Sequence, residues 1–315
     1  MRVIRHLPGL GPRLPRVVLT LGNFDGVHRG HQAILARARS VAAGGGQVVV
    51  LTMHPHPLAG LAPQRAPGMV QSLHDRLVTL RSLGVDVAVA QRFTRAFSLL
   101  EPDAFVEQVL LRSLDLAHVV VGYNVTFGRN RAGTADTLRA LGARHGFVVD
   151  TVGPVTVGDV VVSSSAIRRA IAAGDVEHAE ALLGRPYALR GRVVTGERRG
   201  RTLGFPTANM HRPPLVLTPA DGVYAVRALV DGDWRAAVLN VGVRPTFGEL
   251  RRTVEVHVLD WDGDLYGRWL EIEPVTRLRP ERRFDGPAAL RAAIADDVAH
   301  ARRVLAVARG AARGS

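Results

Sequence analysis

The chain has 315 residues, 47% hydrophobic and 22% charged, the balance of a water-soluble globular protein long enough for two domains with separate cores. It contains no cysteine, which excludes disulfides, thiolate catalysis and cysteine-ligated zinc, and no apolar run approaches the ~20 residues that cross a bilayer. The net charge of +13 is carried by 41 arginines without a single lysine; they are scattered, with no long basic run and few aromatics between them, so the charge suits an anionic ligand without demanding nucleic acid.

In chain order, the first half alternates short apolar runs with helical patterns. Met1–Pro15 lacks the apolar stretch and cleavage site of a signal peptide, and a cytoplasmic location is expected. Strands are predicted at Val17–Leu21, Val48–Met53, Val85–Ala90, Val119–Gly122, Phe147–Val149 and Val160–Val162. Helices are predicted between them at Gln32–Ala42, Leu73–Leu83, Asp103–Leu111, Ala135–His145 and Ala166–Ala173, with Ser72/Asp75 and Thr134/Thr137 at capping positions. Strands apolar throughout and separated by helices predict an α/β domain whose parallel sheet is covered on both faces. Such sheets bind ligands at the carboxyl ends of their strands.

After Leu182–Pro186 the rhythm changes. Strand-like runs follow one another at Arg190–Val194, Val223–Val230, Arg235–Val241, Thr253–Leu259 and Leu270–Glu273, and only Pro287–Val307 reads as a long helix. Successive short strands predict an antiparallel barrel or sandwich, and the domains are read as residues 1–184 and 185–315.

Two stretches carry chemistry. Gly22-Asn23-Phe24-Asp25-Gly26-Val27-His28-Arg29-Gly30-His31 follows the first strong strand and opens a helix. Glycines allow a ligand close to the backbone, free amides at a helix entrance attract anions, and His28 and His31 add donors to phosphate oxygens. Asn23 and Asp25 face substrate or hydrogen-bond their own turn, both readings being open. Val162-Ser163-Ser164-Ser165-Ala166-Ile167-Arg168 is a second strand-to-helix entrance, with hydroxyls at Ser164 and Ser165 and a planar fork at Arg168. In the second half, Gly196 and then Gly200-Arg201-Thr202-Leu203-Gly204-Phe205-Pro206-Thr207-Ala208-Asn209 combine a glycine loop with the hard oxygens of Thr207 and Asn209, which suit Mg²⁺ shared with nucleotide phosphates.

The first pair of motifs resembles the HxGH nucleotidylyltransferase half of the prokaryotic bifunctional riboflavin kinase/FMN adenylyltransferases. There, Ser165 replaces a threonine of an I-S-S-T-x-I-R segment, Leu51–Pro57 resembles a T-F-x-P-H-P turn, and Val121–Gly128 resembles a flavin-side G-x-D-F-x-F-G loop. Gly200–Asn209 resembles that family's riboflavin kinase motif, and similar segments continue through Pro219–Ala225, Leu239–Phe247, Val254–Asp260, Asp264–Gly267 and Arg279–Phe284. The resemblance implies a Rossmann-like N-terminal domain and a C-terminal kinase barrel ending in a helix. It implies ATP, riboflavin, FMN and FAD as substrates or products and Mg²⁺ as cofactor, with no nucleic acid or membrane partner; a homo-oligomer stays open.

Residue by residue, the resemblance implies catalytic roles for His28, His31, Arg168 and Glu255, the last as general base. It implies ATP contacts from Gly22, Asn23, Phe24, Asp25, Gly26, Gly30, Ser164, Ser165, Gly196, Gly200, Arg201 and Gly204. Flavin contacts fall to Pro57, Asn124, Phe127 and Arg283, and metal ligation to Thr207 and Asn209. Alternation alone puts Glu255 on the more polar face of its strand, opposite Val254, Val256 and Val258. His257 reads as a strand-surface residue. A different nucleotidylyltransferase has no use for Gly200–Asn209, and a non-catalytic flavin- or nucleotide-binding module is the remaining rival.

Overall fold

The apolar runs of the first half pair in parallel. β1 (Arg2–Ile4), β2 (Leu14–Leu21), β3 (Gln47–Met53), β4 (Val87–Gln91), β5 (Leu114–Gly122) and β6 (Val148–Val152) form one sheet in the order β1-β4-β3-β2-β5-β6. The structure is a computed structural model and describes residues 1–7, 12–196, 204–213, 215–246 and 249–311. The strands read as unbroken apolar runs because both faces are covered: Val17, Leu19, Val49 and Leu51 join one buried cluster, and Val18, Val48 and Val50 another. Helices α1 (Arg29–Ala42), α2 (Pro57–Leu61), α3 (Leu73–Ser82), α4 (Arg95–Ser98), α5 (Pro102–Ala104) and α6 (Ala135–His145) connect them. Phe105–Leu111, predicted as plain helix, continues α5 as a π-turn. β2 lies between β3 and β5, so the connections run in opposite directions from it and leave a crevice at its carboxyl end.

Val160–Val162 does not join this sheet. It folds back as a two-stranded hairpin, β7 (Thr156–Val157) with β8 (Val160–Val161), ahead of α7 (Ser164–Ala173). A further helix, α8 (Val176–Leu183), was not predicted; Asp175 caps it, its carboxylate accepting the His178 amide. By packing, the chain divides into Met1–Ser164 and Ser165–Ser315. α7 and α8 go with the second unit: the Ile171 carbonyl accepts from the Ala220 amide, and α8 packs on the last barrel strand.

That barrel is closed and antiparallel, as the strand succession predicted. β9 (Leu189–Val194), β10 (Ala208–His211), β11 (Gly222–Val230), β12 (Asp233–Thr246), β13 (Glu249–Val258) and β14 (Trp269–Arg279) pair in the order β10-β13-β12-β11-β14-β9, and β9 pairs back onto β10. α9 (Pro287–Ala311) buries Ala301 and Leu305 against Val223 and Ala225 of β11. The Arg279 guanidinium grips Asp297 of α9 through both oxygens at 2.8–2.9 Å, fixing the helix to β14.

Candidate active sites

The first site is built around one unbroken piece of chain, Gly22–His31. Beyond β2, the Gly22 amide still donates to the Leu51 carbonyl at 3.1 Å, and the chain then passes through the left-handed region at Phe24 (φ 49°), Gly26 (φ 83°) and Val27 (φ 40°). Only the glycine does so without strain; Phe24 and the β-branched Val27 are held there fully buried. α1 follows at once with His28 as its N-cap, Nδ1 accepting from the His31 amide at 3.4 Å. A neutral imidazole accepting at Nδ1 carries its proton on Nε2, which is therefore the donating atom. The His28 and His31 rings stack with centroids 3.7 Å apart, and Phe24 lies against His31 at 4.7 Å. The stack leaves little room beside Gly30, where a Cβ would meet His28 Nδ1 at 3.2 Å. Amides and imidazoles are thus presented together at the crevice beyond β2, an arrangement suited to phosphate.

The remaining residues expected here fall into different environments. Asn23 Nδ2 lies 3.4 Å from His56 Nε2, at the turn where Pro57 opens α2. Burial, reinforced by the charges of Arg76 and Arg5, pulls the nearby His54 imidazole below its ordinary value. Asp25, expected at ATP, has no exposed surface; its carboxylate accepts the Val70 and Gln71 amides at 3.0–3.2 Å. Ser164 donates to the Asp25 carbonyl at 2.8 Å, while Ser165 is exposed and Arg168 half-buried one turn later on α7. Asn124 is exposed in the turn after β5. Phe127, expected at flavin, is instead a core residue, its ring 5.6 Å from Phe105.

The second site depends on strand register. Asn209 of β10 stands directly beside Glu255 of β13, and Glu255 beside Asn240 of β12. Cross-strand partners share a face, so the carboxamide, the carboxylate and a second carboxamide form one row. Glu255 is buried at 8% exposure, where strand alternation alone suggested a solvated carboxylate. A Cβ on Gly196 would lie 2.1 Å from Asn209 Nδ2, so the glycine makes room for that side chain. Gly204 opens the following segment with φ 87°, and Gly200 and Arg201 lie outside the described residues. A cavity of about 600 Å³ is lined by Thr207, Val193, Val256, Trp261, Asp264 and Tyr266. Val256 lines it, so by alternation Glu255 points to the opposite face of β13. Arg283 is exposed on the loop before α9, where its neighbours Arg279 and Arg282 clasp the Phe284 ring at 5.4 and 4.9 Å.

Among the described residues there is no cluster of three or more histidine, aspartate or glutamate side chains able to cage a metal. Thr207 and Asn209 offer two hard oxygens, a set that fits Mg²⁺ arriving with nucleotide phosphates and keeping part of its water. Sequence reasoning missed three residues. His257 is no idle surface residue: its Nδ1 lies 2.8 Å from the Pro206 carbonyl and Phe205 packs edge-on against its ring, tying β13 to the segment that carries Thr207. Asn240 needs the register to be seen. Arg76 shares the apolar face of α3 with Leu80, and a charge in that stripe was the available signal.

Comparison with known proteins then fits both halves. The FAD synthetase family model matches residues 12–166 and the riboflavin kinase model residues 183–305. A bifunctional riboflavin kinase/FMN adenylyltransferase of Pseudomonas fluorescens is 40% identical, covering 97% of this chain and 98% of its own. The chain belongs to the bifunctional riboflavin kinase/FMN adenylyltransferase family. Proteins of the same description from Escherichia coli strain K12 and Bacillus subtilis strain 168 are each 38% identical, over 99% and 85% of this chain and 100% and 86% of theirs. A solved structure described as a macrolide-efflux protein from Streptococcus pneumoniae superposes with a TM-score of 0.86 at 30% identity, over 95% of this chain and 98% of that one. Among the described residues of the present chain, no helix is long and apolar enough to cross a membrane.

Proposed function

We infer that this family member makes FAD from riboflavin in two ATP-dependent steps, carried by residues 185–315 and then by residues 1–184. The order of the two family matches along the chain is the observation that carries this reading. In the first step the riboflavin 5′-hydroxyl attacks the γ-phosphorus of ATP, the bond to the bridging oxygen breaks, and FMN and ADP form. Glu255 takes the hydroxyl proton; its place beside Asn209 in the strand register supports that role. Thr207 and Asn209 would hold Mg²⁺, which when bound neutralises phosphate charge. Alignment and charge neutralisation are the main sources of catalysis in such transfers.

In the second step a phosphate oxygen of FMN attacks the α-phosphorus of another ATP, and pyrophosphate leaves with the electrons of the α–β bridge. No side-chain nucleophile is needed. His28 donates from Nε2 to the oxygens on which charge builds, and His31, Ser165 and Arg168 complete the set of donors. Asn124 and Pro57 are assigned to the flavin side. Riboflavin, ATP and Mg²⁺ incubated with the purified protein should give FMN and then FAD by chromatography. Absence of FMN from riboflavin, or of FAD from supplied FMN, would refute the corresponding half.

A further inference from the structure

Beneath the Gly22–His31 turn lies a group of polar side chains that phosphate does not reach. Arg76 of α3 is 1% exposed, and Asp25 and Thr52 have no exposed surface. Thr52, the penultimate residue of β3, gives its hydroxyl proton to the Asn23 carbonyl at 2.8 Å and accepts Arg76 Nη1 on the same oxygen at 3.0 Å. Arg76 Nη2 lies 3.8 Å from Asp25 Oδ1, and the Asp25 carboxylate also takes the Val70 and Gln71 amides. Both ends of the strained segment are therefore held: Asn23 through its carbonyl, Asp25 through its carboxylate and, from Ser164, through its carbonyl. A buried ion pair is a poor device for stability, since apolar residues of like volume serve as well or better. Its position under a run of left-handed residues that ends on His28 gives it another use.

We propose that Arg76 and Thr52 are positioning residues of adenylyl transfer, holding the Asn23–Val27 segment, with Phe24, Gly26 and Val27 in the left-handed region, so that His28 and the first amides of α1 face the nucleotide phosphates. Neither touches substrate. The inference rests on assigning FAD formation to the α/β domain, and riboflavin kinase activity of the same preparation serves as an internal control.

The decisive pair is Thr52→Val and Thr52→Ser in the full chain. Valine keeps the shape and loses both hydrogen bonds; serine keeps both and loses a packed methyl. With FMN, ATP and Mg²⁺, kcat for FAD should fall about tenfold in Thr52→Val, part of the loss expected of a misplaced reactive group. It should stay within about twofold of wild type in Thr52→Ser. FMN formation should be unchanged in both. Thr52→Val takes a hydrogen-bond partner from the Asn23 carbonyl and from Arg76 Nη1 and is expected to be the less stable of the two. A purely structural role therefore predicts that its deficit vanishes when the assay is run well below its melting temperature, whereas positioning predicts that the lowered kcat persists in the fully folded protein. Thr52→Val folded with wild-type kcat, or activity that tracks melting temperature, overturns the proposal. A wild-type protein that makes no FAD from FMN overturns the assignment beneath it instead. Arg76→Met combined with Asp25→Asn removes both buried charges without leaving one alone, and should fold while losing FAD formation by a larger factor than Thr52→Val; full activity in that double variant also refutes the idea.

Discussion

The two sites are built on opposite plans. The centre of the proposed adenylyl-transfer site is contiguous: from Gly22 to His31 a single turn supplies glycines, ring stack and helix entrance, and its strain is contained by side chains underneath. The proposed kinase site is assembled across strands: Asn209, Glu255 and Asn240 are neighbours only because three antiparallel strands hold one register. A contiguous site is set by local backbone conformation and so is sensitive to single backbone strains. A register site is anchored along whole strands, where a slip of one residue would turn every side chain to the other face. Damage to one plan should therefore leave the other intact within the same molecule.

The sharpest way to break that comparison is Glu255→Gln. Loss of a general base should lower FMN formation by about 10³-fold while FAD formation from supplied FMN is untouched, read by chromatography of each product. His28→Ala is the mirror experiment, expected to reduce FAD formation by about 10²-fold and spare FMN formation. If either variant, still folded, loses both activities, the division between the plans is wrong. The glycines sharpen the contrast with smaller effects. Gly30→Ala presses a methyl against His28 Nδ1 and should cost FAD formation about tenfold; Gly196→Ala should displace the Asn209 carboxamide and cost FMN formation by a similar factor. In the second case the shift should show as a raised Mg²⁺ requirement at unchanged riboflavin KM, a split that general destabilisation does not produce.

The same contrast explains what could be read without coordinates. The parallel sheet and the barrel follow from apolar runs with and without helices between them, and Ala135–His145 has the bounds read for it, with Thr134 as its cap and Gly146 closing it. The Gly22–His31 centre of the first site is legible because its parts lie within ten residues. Asn240 was not legible, since only pairing brings it beside Glu255. Ala208–His211 read as loop because a Pro-Thr-Ala-Asn segment lacks strand character until β9 and β13 close on it. Arg2–Ile4 is three residues long and gains its partner from Val87–Val89. Val160–Val162 carries a strand's composition, yet its partner is the adjacent Thr156–Val157 rather than the sheet. Thr52 looks ordinary in sequence, and a charge in the apolar stripe of α3 does not name the partners of Arg76, because a buried hydrogen-bond network is a property of three elements at once.

The smallest effect expected lies where α8 meets the barrel. Burial raises the Glu273 carboxyl above the ordinary glutamate value, Arg227 opposes that shift, and Glu271 and Glu180 add to it. Glu180 on α8 is raised for the same first reason, against Arg227 and together with Glu177. A carboxyl raised in the folded state holds its proton over a pH window in which the unfolded chain has already lost it. Stability is therefore greatest below the ordinary glutamate value and declines as pH rises through the folded value, above which the ionised form remains penalised. Glu273→Gln removes that penalty and leaves Glu180 and Glu271 to face Arg227. It should stabilise the protein by less than about 1 kcal/mol at neutral pH, because the site is only partly buried and solvent screens it. The gain should shrink to nothing on acidification, as measured by urea unfolding at a series of pH values. A gain that is constant with pH would mean that packing of the amide, and not relief of a buried charge, is responsible.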